Sequence, residues 1–289
     1  MPEADNSLVL LVGASGRVGQ MVCHHWRKIP GRLSLVTQFR SASDEQESLI
    51  WNPLSGSRIS SGSATENRGF RAMIMLAGAV PGSKDLDINQ ALAEACLEAS
   101  AAEGISRVLI ASSSAVYGAG TALTENSPCV PINEYGAAKL RMEHACEPWR
   151  KKGMDLCLLR IGNVAGADAL LQNVAKTMPG ERIEIDIYDD GRGPVRSYIG
   201  VRTLAEVLRS LCSHPLPLPP ILNVGTPQPV SMEALANAAG QLWKGRAVAR
   251  TSTQNITLDC SLLASMHSFT PQDSYPTEMV DQWRESAKK

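Results

Sequence analysis

The segment Leu8-Val9-Leu10-Leu11-Val12 runs directly into Gly13-Ala14-Ser15-Gly16-Arg17-Val18-Gly19. Five consecutive apolar residues predict a strand buried on both faces, and the glycines predict a sharp turn into a helix over about residues 17–28. Glycines at this spacing let the backbone approach a pyrophosphate, and the start of the helix offers free N–H groups to phosphate oxygens. An ordinary strand-to-helix turn is the alternative. The residues predicted to bind a dinucleotide are Gly13, Ser15, Gly16, Arg17, Val18 and Gly19.

Short apolar runs and helical patterns continue to alternate through the first half of the chain. Apolar strands separated by helices predict a parallel sheet covered on both faces, which is a doubly wound α/β (Rossmann) fold. The stretch 41–69 is rich in Ser, Gly, Asn and Arg, and we predict no strand in it. The predicted strands are 33–37, 73–76, 107–111 and 155–161, and the clearest predicted helices are 87–102 and 134–152.

The pattern changes near residue 162. We therefore predict a dinucleotide-binding domain over residues 1–161 and a smaller, mixed α+β substrate lobe over 162–289, with strands free to cross between them. The proline-rich run 215–220 predicts a stiff loop. In the second part the predicted strands are 183–187 and 221–224, and the predicted helices are 201–212, 232–243 and 276–288.

Composition excludes several classes of protein. The 289 residues are 44% hydrophobic and 20% charged, which is ordinary for a globular protein and excludes a disordered chain. A net charge of −1 argues against a nucleic-acid or membrane-surface partner, and no apolar run approaches the roughly 18 residues of a membrane span. The seven cysteines include no C-x-x-C pair, and residues 1–7 are polar. We expect a cytoplasmic protein with reduced thiols and no metal.

The end of the second predicted strand bears on the choice between NAD and NADP. NAD-binding proteins commonly place an acid there, which binds the ribose 2′-hydroxyl. In this chain no acid follows until Asp44. Arg40, with Ser41 and Arg17, would instead neutralise a 2′-phosphate, so we favour NADP over NAD. The alternative is that Arg40 is a solvated loop residue.

Tyr135 and Lys139 are four residues apart in a predicted helix, so they share one helix face. A phenol has an ordinary pKa of about 10, and a nearby ammonium together with a positive nicotinamide ring would favour its ionised form. The pair therefore predicts a general acid/base near the cofactor. A surface tyrosine lying on a lysine stem is the alternative.

A serine-rich segment, Ser112-Ser113-Ser114-Ala115-Val116-Tyr117-Gly118, follows the strand predicted over 107–111. Ligands of open α/β sheets bind outside the carboxyl ends of the strands, where a serine hydroxyl could hold the substrate oxygen. The alternative is a polar loop.

Together, the glycine turn, the strand-end serines and the Y-x-x-x-K pair resemble the short-chain dehydrogenase/reductase superfamily. Further strings resemble its extended branch, the NAD-dependent epimerase/dehydratase family. These strings are Leu76-Ala77-Gly78-Ala79, the helix-opening Asn89, Leu159-Arg160-Ile161-Gly162-Asn163-Val164-Ala165-Gly166, Val195-Arg196-Ser197-Tyr198-Ile199-Gly200-Val201, Leu222-Asn223-Val224-Gly225 and Leu258-Asp259-Cys260-Ser261.

The resemblance implies roles for individual residues. Arg196 would contact a substrate diphosphate, although an exposed arginine beside a strand is as plausible. Ser114-Ala115 stand where the family's 4,6-dehydratases carry an Asp-Glu pair, so dehydration is disfavoured. A homodimer through the helices at 87–102 and 134–152 is also implied. The implied catalytic residues are Ser113, Tyr135, Lys139 and Asn89, the cofactor contacts include Leu76, Ala77, Gly78, Tyr135 and Lys139, and the substrate contacts are Ser114, Asn163 and Arg196.

We therefore expect an NAD(P)-dependent epimerase that acts on a sugar nucleotide by reversible hydride transfer at a secondary alcohol, with Tyr135 as acid/base. Two alternatives stay open. One is an NADPH-dependent reductase of a small ketone or aldehyde. The expected preference for NADP and the shortness of the chain favour this alternative. The other is a non-catalytic dinucleotide-binding regulator, which would not need Ser113, Tyr135 and Lys139 in register.

Overall fold

The computed structural model describes residues 8–41, 47–56, 58–59, 69–249, 251 and 253–287. In these ranges the strands are β1 Leu8–Val12, β2 Ser34–Phe39, β3 Ser48–Ile50, β4 Phe70–Met75, β5 Arg107–Ser113, β6 Gly120–Leu123, β7 Asp155–Ile161, β8 Asn163–Val164, β9 Ile183–Ile187, β10 Val195–Arg196, β11 Tyr198–Ile199, β12 Ile221–Val224, β13 Val230–Ser231, β14 Trp243–Ala247 and β15 Asn255–Leu258. The α-helices are α1 Arg17–Trp26, α2 Ile88–Ala102, α3 Glu134–Lys151, α4 Ala169–Val174, α5 Val201–Ser213, α6 Met232–Ala238, α7 Ser261–Ala264 and α8 Pro276–Ala287.

Seven strands form one parallel sheet in the order β12-β7-β5-β4-β1-β2-β3. The chain runs from β1 to one edge through β2 and β3, and then to the other edge through β4, β5, β7 and β12. This is the doubly wound order, and it puts the switch point between β1 and β4. The predicted Rossmann α/β fold is confirmed.

The two faces of the sheet bury two separate cores because side chains alternate along each strand. Val9 and Leu11 of β1 point to the core under α1 and α5, whereas Leu8, Leu10 and Val12 point to the core under α2 and α3. All five β1 side chains are buried. An uninterrupted apolar strand is therefore what this position requires.

Three secondary-structure predictions need correction. The helix predicted over 232–243 ends at Ala238, because Gly240 takes a left-handed conformation (φ +66°) just after it, and Trp243 begins β14. The stretch 41–69 contains an edge strand, β3, although residues 42–46, 57 and 60–68 lie outside the described ranges. Ser112 and Ser113 end β5 rather than follow it, since both pair with β7.

The remaining strands form smaller sheets next to the seven-stranded one. A mixed four-stranded sheet has the order β13-β10-β15-β6, and two parallel pairs are formed by β8 with β11 and by β9 with β14. The first part of the chain contributes β6 to the four-stranded sheet, and the second part contributes β12 to the large sheet. The division between residues 161 and 162 stays a prediction.

Among the described helices, none is both long and apolar enough to cross a membrane. All seven cysteines fall within the described residues, and none of them forms a disulfide there.

Candidate active site

A cleft of about 510 Å³ lies at the carboxyl ends of β1, β2 and β4, beside the switch point of the sheet. Most of the residues predicted from the glycine turn and the β4 end line it. Ser41 is exposed and is not among the described lining residues. The predicted cofactor contacts that line the cleft are Gly13, Ser15, Gly16, Arg17, Val18, Gly19, Arg40, Leu76, Ala77 and Gly78.

The glycine turn has the geometry that a dinucleotide needs. Gly13 has φ +97°, and a Cβ atom on it would lie 2.7 Å from the Cα of Ala77, across the switch point. A Cβ atom on Gly19 would lie 2.9 Å from the Cα of Ala14, so α1 packs directly against the turn. Gly16 is the N-cap of α1 and supplies no side-chain cap, which leaves the N–H groups of the first turn for a ligand. These residues fit a bound pyrophosphate.

The edge of the cleft near β2 and β3 contains residues that sequence reasoning missed. Gln38 is buried at the end of β2; its Oε1 accepts a hydrogen bond from the Gly13 N–H (3.3 Å), and its Nε2 donates to the Trp51 carbonyl. Asn52 and Leu54 follow β3 and also line the cleft. Because β3 was not predicted, its carboxyl end could not be placed next to that of β2.

Tyr135 and Ser113 are brought together by a close approach of α3 to the segment after β5. A Cβ atom on Gly136 would lie 2.9 Å from the carbonyl carbon of Ala115, so only glycine allows this contact. Asn133 caps α3 by accepting a hydrogen bond from the Gly136 N–H (2.8 Å). Tyr135 is half-buried; burial raises the pKa of its phenol, and a hydrogen bond with Ser113 partly offsets this.

Lys139 is buried, and its Nζ donates a hydrogen bond to the Ala111 carbonyl at 2.9 Å. Burial lowers the pKa of Lys139 to about 8, against an opposing effect of Glu143. The expected lowering of the Tyr135 pKa by Lys139 is not seen in the chain alone. The positive nicotinamide ring is also expected to contribute to this lowering, and that contribution arises only when the cofactor is bound.

Gly78 lies between the cleft and the side chains of Lys139 and Asn89. The residue lines the cleft, and a Cβ atom on it would lie 3.4 Å from Lys139 Nζ and would collide with Asn89 Oδ1. Asn89 is fully buried and donates from Nδ2 to the Leu86 carbonyl (2.8 Å), but its Oδ1 has no hydrogen-bond partner among the residues that the structure describes. A buried acceptor without a partner is costly, and here it lies at the inner end of the cleft. The donor set and the orphan acceptor fit the nicotinamide half of a dinucleotide.

The three residues predicted to contact substrate lie in different surroundings. Asn163 begins β8, and its side chain partly offsets the rise that burial causes in the pKa of Tyr198. Ser114 opens the short 3₁₀ turn Ser114–Val116. Arg196 uses its guanidinium on backbone carbonyls, donating to Val195, Gln254 and Thr253 at 2.7–2.9 Å. Two of these hydrogen bonds hold β10 to the segment just before β15, and the contact of Arg196 with a diphosphate stays a prediction.

Among the described residues, one group of side chains has ligand atoms close enough for a metal: His24, His25 and Glu285, within 4.8 Å of one another. Lys28 Nζ lies 2.8 Å from both His24 Nε2 and Glu285 Oε1. An ammonium therefore already occupies the position between these ligands.

Comparison with known proteins places the chain in a family. The sequence model described as NAD dependent epimerase/dehydratase family matches residues 9–225. UDP-glucose 4-epimerase of Azospirillum brasilense is 35% identical over 133 residues, which are 39% of this chain and 37% of that protein. UDP-glucose 4-epimerase of Streptomyces lividans is 33% identical over 130 residues, 39% of this chain and 40% of that protein. The chain thus matches less than half the length of these curated relatives.

Solved structures share the fold along nearly the whole chain. The UDP-Glc/GlcNAc 4-epimerase of Campylobacter jejuni has a TM-score of 0.75 at 19% identity, covering 98% of this chain and 100% of that one. A short-chain dehydrogenase/reductase superfamily protein of Agrobacterium tumefaciens with bound NAD has a TM-score of 0.71 at 17% identity, covering 97% of each chain. Since the family model matches well over half of its residues, the chain belongs to the NAD dependent epimerase/dehydratase family.

Proposed function

We propose that the protein is an NAD(P)-dependent epimerase that inverts a secondary alcohol of a sugar nucleotide by reversible hydride transfer. The observation that carries this proposal is the grouping of a hydroxyl, a phenol and an ammonium, with the ammonium next to Gly78, which lines the cleft. Ser113 interacts with the Tyr135 phenol and partly offsets the rise in its pKa, and the buried Lys139 Nζ lies beside Gly78. A protein that only binds a dinucleotide does not need a phenol, a hydroxyl and an ammonium at that place.

Each group has one task in the proposed reaction. Ser113 Oγ holds the reacting oxygen of the substrate, and Tyr135 Oη takes its proton during oxidation and returns it during reduction. The dinucleotide, when bound, supplies the hydride chemistry. Lys139 Nζ places a positive charge near the phenol. Because burial raises the pKa of Tyr135 in the chain alone, its ionisation depends on this charge together with that of the oxidised cofactor.

The cleft residues would hold the dinucleotide in parts. The turn from Gly13 to Gly19 and the free N–H groups of α1 suit the pyrophosphate, while Leu76, Ala77 and Gly78 line the path towards Lys139. At the adenosine end Gln38 and Arg40 line the cleft. An arginine there favours a 2′-phosphate, which supports NADP, whereas the Gln38 amide would suit a ribose hydroxyl.

The substrate class rests on the names of relatives and on the predicted contacts. Both curated relatives are UDP-glucose 4-epimerases, so a uridine diphosphate sugar is the first candidate substrate. Asn163, Ser114 and Arg196 are the proposed substrate contacts. We further propose a cytoplasmic homodimer through α2 and α3; Ala93 and Ala99 of α2 face the core, so that interface would use the exposed side of the helix.

A second candidate function is an NADPH-dependent reductase of a small ketone or aldehyde. The observation that favours it is Arg40 at the adenosine edge, where the lining residues Gln38, Phe39, Asn52 and Leu54 include no acid. A reductase must exchange its nucleotide at every turnover, whereas an epimerase retains it.

The nucleotide that co-purifies with the protein separates the two candidates. For an epimerase, denaturing the purified protein should release about one oxidised NAD or NADP per chain, identified by mass spectrometry. The purified protein should also interconvert UDP-glucose and UDP-galactose without added nucleotide. An empty site that binds NADPH, together with consumption of NADPH on a panel of small ketones and aldehydes, would establish the reductase instead. Binding without either reaction would overturn both.

A further inference from the structure

A buried ion pair joins Glu143 of α3, one turn beyond Lys139, to Arg160 of β7. Arg160 Nη2 is 2.7 Å from Glu143 Oε2, and the two side chains are each only 4% exposed. Arg160 Nε also donates to both carboxylate oxygens, at 3.1 and 3.3 Å. Sequence reasoning missed this pair, because a glutamate four residues after a lysine is the usual pattern of an exposed helix surface.

Every part of the pair is held in place. Ser112 Oγ donates to Glu143 Oε1, so β5 supplies a hydroxyl to this carboxylate. The Arg160 guanidinium lies 4.7 Å from the ring centre of Tyr117 and donates to the Glu125 carbonyl at 3.3 Å. The carboxylate of Glu143 therefore has a single fixed position on the helix that also carries Tyr135 and Lys139.

A buried ion pair is a poor device for stability, because desolvation of the two charges offsets most of their attraction. A second use for the carboxylate lies one helical turn away. Residues four apart on a helix have Cβ atoms about 5–6 Å from each other, and Lys139 is buried with one hydrogen bond, to the Ala111 carbonyl. An ammonium in such a place needs a negative charge nearby to stay protonated.

The other titratable groups around Lys139 do not provide this charge. On α3, burial raises the pKa of Cys146 to about 12 and also raises that of Tyr135, so both are neutral near pH 8. On α2, Asn89 is uncharged and burial raises the pKa of Cys96 to about 12, while Glu94, which accepts a hydrogen bond from Gln90, is not among the groups that shift the pKa of Lys139. Ser113 of β5 is uncharged. Around Glu143 itself, Arg160 of β7 is the paired cation, and Cys129, His144, Glu147 and Arg150 line a small cavity of about 230 Å³ beside the pair.

We propose that Glu143 is a positioning residue of the active site: its carboxylate, fixed by Arg160 and Ser112, is the counter-charge that keeps the buried Lys139 side chain protonated beside Gly78. The inference rests on the role that the proposed function gives to Lys139. It assigns Glu143 no contact with substrate or cofactor.

The test is the titration of Lys139 in nucleotide-free protein. Protein labelled with ¹³C at the lysine ε-carbon gives one signal for each lysine, and the Lys139→Met variant identifies the signal of Lys139. In the wild type the midpoint should lie near pH 8. In Glu143→Gln, which keeps the shape but removes the charge, the midpoint should fall by about one pH unit or more, the usual effect of a charge at this range. Glu143→Asp keeps the charge and should titrate close to the wild type.

A second pair of substitutions covers the case in which Glu143→Gln fails to fold with Arg160 left unpaired. Replacing both partners, as Glu143→Leu with Arg160→Met, removes the buried charges together, a change that proteins often tolerate. The Lys139 midpoint should again fall. Unchanged midpoints in the variants that fold would overturn the proposal.

The activity of the same variants distinguishes this inference from the proposed function. If the midpoint falls and turnover above the new midpoint is lost, both stand. If the midpoint falls and turnover does not follow it, the counter-charge role of Glu143 stands and the catalytic role of Lys139 is wrong.

Discussion

Two clusters built from the same elements differ in how well their charges are satisfied. The front cluster consists of the proposed catalytic residues Ser113, Tyr135 and Lys139, and the back cluster consists of Ser112, Tyr117, Glu143, Arg160 and Asn223. Strand β5 and helix α3 contribute to both. Each cluster contains a serine, a tyrosine and a cation, so residue type alone does not separate them.

The difference lies in the partners. In the back cluster burial alone would lower the pKa of Arg160, but hydrogen bonds and charge from Glu143 raise it overall. Tyr117 donates to Asn223 Oδ1 at 2.7 Å, and burial raises its pKa to about 12. In the front cluster the cation has no carboxylate in contact, and burial lowers the Lys139 pKa to about 8. Poorly satisfied groups beside a cleft are where proteins concentrate reactivity, and well-satisfied ones are structural.

Substitution of Tyr135, the tyrosine of the front cluster, should have the largest effect on turnover. Tyr135→Phe removes the group proposed to carry the substrate proton, and turnover should fall by about a thousandfold. Most of the dinucleotide affinity should survive, because the residues that line the cleft are unchanged. The measurement is the initial rate together with nucleotide affinity by fluorescence or calorimetry. Turnover within tenfold of the wild type would remove Tyr135 from the mechanism and, with it, the contrast between the clusters.

The buried ammonium of Lys139 should make the free energy of unfolding depend on pH. The folded pKa of Lys139, about 8, lies below its ordinary value of 10.5. The unfolded chain therefore binds the extra proton between these values, and the stability contributed by Lys139 rises with pH across that window. Relative to Lys139→Met, the wild type should gain up to about 3 kcal/mol in free energy of unfolding from pH 7 to pH 10.5.

Urea unfolding of both proteins at several pH values measures this difference. The buried cysteines and Tyr117 titrate in both proteins, so their contributions cancel in the comparison. A difference that stays constant with pH would mean that the ammonium is as well satisfied as the Arg160 guanidinium, and the two clusters would then not differ in this respect.

The two neighbouring serines give a matched pair of substitutions. Ser113→Ala removes the hydroxyl proposed to hold the substrate oxygen, and turnover should fall by about a hundredfold. Ser112→Ala removes one hydrogen bond to Glu143, which keeps its contacts with Arg160, and should lower turnover much less. Initial rates at saturating substrate measure both. Equal losses would place both serines in one functional unit.

Local patterns in the sequence predicted the front cluster and its cleft. Five apolar residues followed by glycines define β1 and the turn, and a spacing of four in a helix puts Tyr135 and Lys139 on one face. The close packing at Gly136 was missed, because a single glycine inside a helical pattern carries no information about the partner that approaches it.

Long-range contacts explain what the sequence did not predict. The back cluster joins residues from β5, α3, β7 and β12, and no local pattern signals that Glu143 meets Arg160 or that Tyr117 meets Asn223. Strand β3 has three residues at the edge of the sheet and depends on its pairing with β2. The error over 232–243 arose because apolar residues on both sides of Gly240 continue the helical pattern through the residue that ends it.

Substitution of Tyr117, the tyrosine of the back cluster, should lower the stability of the protein rather than its turnover. Tyr117→Phe keeps the ring against Arg160 but removes the hydroxyl, and Asn223 Oδ1 loses its donor in a buried place. A buried acceptor left without a partner costs about 2 kcal/mol, so the free energy of unfolding should fall by that amount while turnover stays within a few-fold of the wild type. Tyr135→Phe should show the reverse, since the partner of its half-buried hydroxyl can turn to water. If instead Tyr117→Phe lost turnover as Tyr135→Phe does, the two clusters would work as one site, and the buried side of α3 would belong to the chemistry rather than to its support.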